Sequence, residues 1–449
     1  MSALASVQRS RNADRPNPAD RGPPDPAAPR PGEPGARAGE PPLRTRAVRT
    51  GRAEAGGRLP RRSHHRRDRR VRSHRPGGLR RAARVRDAQP ERRPGHADRR
   101  VLPRRLRLQH PPRWNHDAQF VIRLPERWNG GLVVAGSPGN RRQYANDVTI
   151  SDWVLAQGYA YAATDKGNSG LDFHKDGRRP GDAVAEWNRR LTELTRAAQQ
   201  TAARHYGHRP SRTYAAGISN GGYLVRWQLE NRPRLYDGGI DAEGTLWRAD
   251  GPNLFTYLPQ ILRAYPAYAS GDASAHGDLV DAGLAPGSEF LWPYHDQVYW
   301  ELTQRIYREE FDPGYEGAEA EYDFASRPRE VRRAVDRVSL TGRIRKPLIS
   351  LQGTYDSLLP IGSNGDAYAA LVRDRGKAPF RYYRVEGANH TDGLVDAHPD
   401  RLRPLLPCMR SAFTALEAWT AEGTAPPPSA TLPKPSGGTD TLNTCSLGS

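Results

Sequence analysis

From about residue 113 onward the chain predicts an α/β fold: a mostly parallel sheet covered by helices on both faces, with one aromatic-rich cap inserted into it. Three observations carry this. Short apolar runs of strand length alternate with segments of helical period. A Gly-x-Ser-x-Gly turn at Gly217, Ser219 and Gly221 joins one such strand directly to a helix. Between residues 245 and 340 the alternation lapses, and 15 of the chain's 36 aromatic residues gather there.

The elements follow in order. Residues 118–125 read Ala-Gln-Phe-Val-Ile-Arg-Leu-Pro and 131–136 read Gly-Leu-Val-Val-Ala-Gly, both strand-like, and 160–165 (Ala-Tyr-Ala-Ala-Thr-Asp) makes a third. Residues 212–218 bring small side chains up to the serine turn, and 238–241 is the short strand expected after the helix that the turn starts. Residues 347–353 lie in Lys-Pro-Leu-Ile-Ser-Leu-Gln-Gly, a buried-type apolar run, and 380–386 alternates as Phe-Arg-Tyr-Tyr-Arg-Val-Glu. Helical periodicity marks 182–206, 364–375 and 407–421. No internal repeat is present, and no apolar run reaches the roughly eighteen residues a membrane-spanning helix needs, so a soluble protein is expected.

Chemistry is expected at the strand ends. A serine on a tight strand-to-helix turn is held in strained backbone geometry, and glycines two residues away on either side remove the collisions that side chains would cause there. The pattern alone is weak evidence, but partners follow it. Asp356 stands just past the 347–353 strand, and His390 stands on the loop leaving the 380–386 strand. The order Ser219, Asp356, His390 is that of α/β-hydrolases rather than of the other serine-hydrolase types. In that reading His390 takes the serine proton and Asp356 orients the imidazole. The oxyanion of the transition state needs two donors: the N–H of Asn220 is one, and Ser137, in Val-Val-Ala-Gly-Ser-Pro-Gly-Asn, is expected to be the other, with Gly139 next because Pro138 has no N–H. Asp241 is an alternative orienting acid, Asp366 and Asp392 are weaker ones, and His398 competes with His390. His174, His276 and His295 read as surface or cap histidines. No metal-ligand spacing and no phosphate loop occurs, so neither metal nor cofactor is implied.

Composition separates off the amino terminus. Residues 1–110 hold 30 Arg, no Lys and 10 acidic residues, a net charge of +20, whereas the rest of the chain sums to −1. The segment lacks Phe, Trp, Tyr and Ile, and therefore cannot bury enough apolar area to offset its ordering entropy. Residues 1–112 are expected to be disordered. Their Arg-only bias fits a mis-assigned start or an out-of-frame stretch better than it fits a nucleic-acid or anionic-membrane tether such as 61–70 would make. The domains expected are a core of 113–244 and 341–423, a cap of 245–340 that covers the serine and shapes an aromatic-walled pocket, and a Pro/Ser/Thr-rich tail of 424–449.

Several motifs together resemble a known family. Thr164-Asp165-Lys166-Gly167, Ser219-Asn220-Gly221-Gly222, Ala388-Asn389-His390-Thr391-Asp392 and Gly423-Thr424-Ala425-Pro426-Pro427-Pro428-Ser429 look like the 3-hydroxybutyrate-oligomer hydrolases. Leu124-Pro125-Glu126-Arg127-Trp128-Asn129-Gly130 and Leu235-Tyr236-Asp237-Gly238-Gly239-Ile240 are similar to tannases and feruloyl esterases. The resemblance spans about 115–435 and implies an α/β-hydrolase that cleaves carboxylic esters, with Ser219, Asp356 and His390 in the family roles. Tannase-type enzymes commonly carry a disulfide-joined cysteine beside the serine and beside the histidine; here Ile218 and Asn389 stand in those places, which favours the oligomer-hydrolase branch.

Only two cysteines occur, Cys408 and Cys445, so at most one disulfide can pin the carboxyl terminus. A disulfide suggests an oxidising compartment, yet the first thirty residues lack a signal-peptide apolar core, which leaves localisation open: secreted if the start is mis-assigned, cytoplasmic otherwise. The reading that results is a cofactor-independent serine esterase whose partner is a small or oligomeric ester, with 3-hydroxybutyrate-type oligomers first and aromatic acid esters second. A non-catalytic hydrolase-fold protein with a basic nucleic-acid-binding arm is the different-class alternative, and the intact triad argues against it.

Overall fold

The computed structural model describes residues 118–435 and 445–448, together with the backbone of 100–101. Apart from those two residues, the disorder expected for 1–112 lies outside the described residues. The apolar runs become one nine-stranded sheet. Its strands are β1 (Arg100–Val101), β2 (Gln119–Arg123), β3 (Gly131–Gly136), β4 (Ala160–Thr164), β5 (Arg212–Ile218), β6 (Gly238–Ala242), β7 (Leu348–Gly353), β8 (Phe380–Val385) and β9 (Ala430–Leu432). The order is β1-β2-β4-β3-β5-β6-β7-β8-β9. From β4 to β9 every pairing is parallel, while β2 runs antiparallel to β4 and β1 antiparallel to β2. This is the α/β-hydrolase architecture that the sequence predicted.

Strand alternation sorts the core into two faces. In β3, Leu132 and Val134 point to one side, and Val133 and Ala135 to the other. Both sides are dry, as a parallel sheet requires. Helices α1 (Asp152–Ala156), α2 (Asp182–Tyr206) and α3 (Asn220–Asn231) belong to the first half of the sheet. Trp187, Leu191, Leu194 and Ala198 of α2, and Leu224, Val225 and Leu229 of α3, pack on the Leu132 side; Val154 and Leu155 of α1 pack on the other.

Between β6 and β7 the chain builds α4 (Leu254–Ala269), α5 (Ala275–Asp281), α6 (Trp292–His295), α7 (Glu301–Phe311) and α8 (Arg329–Asp336), with no strand among them. This is where the sequence's strand–helix alternation lapsed. Trp247, Phe255, Trp292, Trp300, Tyr307, Phe311, Tyr322 and Phe324 are all buried, and they join the same apolar cluster as the Leu132 face of the sheet. The insertion therefore shares one core with the sheet. The amino end of α2 depends on it as well: Glu310 Oε1 of α7 accepts the Ala183 and Val184 amides at 2.7 and 3.3 Å, satisfying groups that a helix start leaves unpaired.

Two helices close the fold, α9 (Ala367–Asp374) and α10 (Leu406–Glu422). The helix expected from residue 364 enters through a π-type turn, Gly362–Asp366, before α9 begins. In the tail, Ala430–Leu432 forms the edge strand β9, parallel to β8, and a Cys408–Cys445 disulfide joins Cys445 to α10, the one bridge that two cysteines allow. Exposed backbone edges recruit such segments, and here Tyr382 N–H and the Arg381 side chain also bind the 426–429 stretch.

Candidate active site

Three non-glycine residues have left-handed backbone among the described residues, Lys166, Ser219 and Glu243, with φ of 71°, 59° and 52°. Each costs strain, and each follows the carboxyl end of a parallel strand, β4, β5 and β6 respectively. Ser219 caps α3, with its N–H on Ala242 O at 2.9 Å. The flanking glycines are required by space: a Cβ on Gly217 would lie 2.2 Å from Gly221 O, and one on Gly221 would lie 2.8 Å from Gly136 O.

His390 bridges Ser219 and Asp356. Its Nε2 is 3.1 Å from Ser219 Oγ and its Nδ1 is 2.9 Å from Asp356 Oδ2. With Nδ1 protonated, the imidazole donates to the carboxylate and offers Nε2 to the serine proton. Asp356 also accepts Gln352 Nε2 at 2.8 Å on Oδ2, and the Leu358 and Leu359 amides at 3.0 and 2.8 Å on Oδ1. Burial by itself would push this carboxyl up, but the His390 charge and hydrogen bond, Glu243 and the Leu359 amide hold it below the usual range. The arrangement can take a proton from a hydroxyl and keep the resulting imidazolium paired.

The competing residues go elsewhere. Asp241 is buried against Arg226, whose Nε donates to it at 2.6 Å, and against Ser350. Asp366 accepts from Tyr382 and Arg384, and Asp392 accepts the Leu405 and Leu406 amides at the start of α10. His398 meets Phe290 edge-on, with ring centroids 4.8 Å apart.

The loop after β3 differs from expectation in one respect. The Ser137 N–H is spent on Thr164 O at 3.2 Å, and its hydroxyl donates to Arg141 O at 2.6 Å, so Ser137 does not present a free donor to the serine. This backbone hydrogen bond, made just past the end of β3, was not legible in the sequence. Lys166 fixes this loop. Its fully buried ammonium donates to Ser137 O (2.9 Å), Ser137 Oγ (2.7 Å) and Gly139 O (2.8 Å), over the Trp187 ring at 4.7 Å. Burial pushes Lys166 down to about 7, against a smaller upward pull from Asp165. The Asn220 side chain donates to Gly139 O at 3.2 Å and to the Tyr307 hydroxyl of α7, tying the serine turn to the cap.

Sequence reasoning missed Glu243, Lys166, Tyr307 and Trp300 as site residues, and it read His295 as an ordinary cap or surface residue. His295 is 1% exposed, and burial pushes it down to about 4, helped by the His390 charge and opposed by Asp356 and by a hydrogen bond with Asn389. Trp300 Nε1 donates to Ser357 O at 2.7 Å, so the cap also braces the Asp356 loop. The one sequence signal was position: Lys166 and Glu243 are charged residues at the ends of apolar strands. Glu243, Asp356 and His390 each place a polar atom within 4.8 Å of the others.

Two family models match separate parts of the chain. The family model for 3HB-oligomer hydrolases matches residues 302–446, which carry Asp356 and His390, and that for tannase and feruloyl esterase matches 109–244, which carry Ser219. No match is found among the curated proteins. Among solved structures, feruloyl esterase B from Aspergillus oryzae aligns at 13% identity and a TM-score of 0.49, over 70% of this chain and 79% of its own. A tannin acyl hydrolase from Aspergillus niger aligns at 14% identity and 0.44, over 70% and 77%. By its strand order and these two partial family matches, neither of which spans half of the chain, the protein is similar to the α/β-hydrolase group of the 3HB-oligomer hydrolases and the tannases and feruloyl esterases, and is a carboxylic ester hydrolase.

Proposed function

We propose that this protein hydrolyses short hydroxyacyl ester oligomers, of the 3-hydroxybutyrate type, through an acyl-enzyme on Ser219. The observation that carries the mechanism is the His390 bridge between Ser219 Oγ and Asp356. Ser219 Oγ attacks the ester carbonyl carbon while His390 Nε2 takes its proton, and Asp356 stays ionised beside the imidazolium. The tetrahedral intermediate expels the alcohol, which receives that proton. Water, deprotonated by the same nitrogen, then releases the acid and restores the serine. The Asn220 N–H serves the oxyanion first. With Ser137 committed to Thr164, Gly139 takes the role of the second donor, on a loop held by Lys166 and Asn220.

The substrate class rests on the family match over 302–446, which includes part of the cap together with Asp356 and His390. The match of the serine-bearing half to tannase and feruloyl esterase favours a second reading, hydrolysis of aromatic acid esters. The full chain offered a linear 3-hydroxybutyrate trimer and methyl ferulate side by side separates them, with Ser219→Ala as control. Turnover of the trimer, abolished in Ser219→Ala, supports the first reading. Preferential turnover of the ferulate supports the second, and activity surviving in Ser219→Ala removes the mechanism.

A further inference from the structure

Glu243 has no part in the triad just described, yet its surroundings are unusual for a carboxyl. It is fully buried, its backbone is left-handed, and it stands one residue past β6. Its Oε1 accepts the Gly353 N–H at 2.8 Å at the end of β7, its own N–H donates to Leu351 O, and its Oε2 has no donor among the described residues. The neighbouring acceptor is Asp356, and the polar atoms of Glu243, Asp356 and His390 lie within 4.8 Å of one another. Two ionised carboxylates this close and this dry repel strongly, and an unpaired buried anion is costlier still. One proton resolves both problems. Asp356 already accepts four hydrogen bonds, from His390, Gln352, Leu358 and Leu359, so the proton sits on Glu243, which then becomes a donor.

We infer that Glu243 is a positioning residue held as a neutral acid, which donates its proton to Asp356 and so keeps the triad carboxylate oriented and weakly basic. The inference rests on the triad reading above. The charged and titratable groups around Glu243 agree with it. Asp356 and Asp241 both disfavour its ionisation, and Arg226, which pairs with Asp241, is spent there. His390 is spent on Asp356, and His295 of the cap is kept neutral by burial. Burial, followed by the Asp356 charge, pushes the Glu243 carboxyl well above the usual carboxylate range.

The test uses the full-length protein with Glu243→Gln and Glu243→Leu, which keep similar volume with and without a donor. Glu243→Gln, a neutral donor, is expected to keep kcat/KM near wild type with the acidic limb of its pH profile unmoved. Glu243→Leu is expected to lose roughly tenfold or more in kcat with KM little changed, and to move that limb to higher pH, because an undersupported Asp356 holds the imidazolium more tightly. A second readout needs no activity. A carboxyl raised in the folded state weakens the fold as pH climbs above its unfolded value of about 4.3, since the unfolded chain releases a proton that the folded one keeps. The Tm of Glu243→Gln should therefore gain on wild type as pH rises from about 5 to about 8. A parallel pH dependence of Tm, or an acidic limb displaced downward in Glu243→Gln as loss of an anion would produce, overturns the inference. If Glu243→Leu does not fold, Glu243→Gln decides alone. Failure of the triad reading would show instead as activity in Ser219→Ala, with the Tm comparison unaffected.

Discussion

Two buried carboxylates stand at the ends of adjacent strands and do opposite work. Asp241, in β6, meets Arg226 at 2.6 Å and Ser350. Asp356, just after β7, meets His390 at 2.9 Å, with Glu243 beside it. Both are almost wholly shielded from water, at 0% and 3% exposure. What separates them is the partner. A guanidinium does not change its charge in a protein, so the Asp241 pair is a fixed strut. An imidazole changes its charge near neutral pH, so the Asp356 pair can serve a proton transfer. A buried acid becomes useful for chemistry when its partner titrates.

The largest expected break in this comparison is Asp356→Asn, which leaves the packing intact but favours the wrong imidazole tautomer; kcat should fall roughly 10⁴-fold with little loss of stability. The matching change, Asp241→Asn, strands Arg226 in the core. Denaturation should record a loss of about 3 kcal/mol, while kcat of the folded fraction stays near wild type. A large kcat defect in Asp241→Asn with Asp356→Asn active would reverse the assignment.

Reduction of the Cys408–Cys445 disulfide, distant from both acids in the chain, should cost about 2–3 kcal/mol of stability and leave kcat unchanged, as judged by urea unfolding with and without dithiothreitol. Lys166 sharpens the comparison from the cationic side. Burial lowers it to about 7, so between about pH 7 and 10 the unfolded chain holds a proton that the folded one has released, and stability rises with pH across that window. In Lys166→Met that rise should flatten; equal slopes for variant and wild type would mean the lysine keeps its proton. The smallest effect is expected from Tyr307→Phe, which removes one hydrogen bond to Asn220, worth about 1 kcal/mol, and should lower kcat about fivefold if the cap positions the serine turn. An unchanged kcat would confine Tyr307 to packing.

Much of the fold was legible because burial on both faces of a parallel sheet writes continuous apolar runs. Gly131–Gly136 and Arg212–Ile218 appear where those runs were read, and Asp182–Tyr206 where helical period was read. The edge strand Ala430–Leu432 was not legible, because an edge strand borrows its stability from β8 and needs no apolar run of its own. The cap helices were equally hidden, since their aromatic residues pack into the sheet's core rather than on a stripe repeated along one helix.

The sequence by itself determined the serine turn and the order Ser219, Asp356, His390, because glycines at tight turns and acids at strand ends leave local marks. Only the tertiary structure decided that His390 joins Ser219 to Asp356 rather than to Asp241, that Ser137 spends its N–H on Thr164, and that Lys166, Glu243 and His295 are buried around them. These depend on contacts between residues far apart in the chain, and such proximity has no signature in local composition or period.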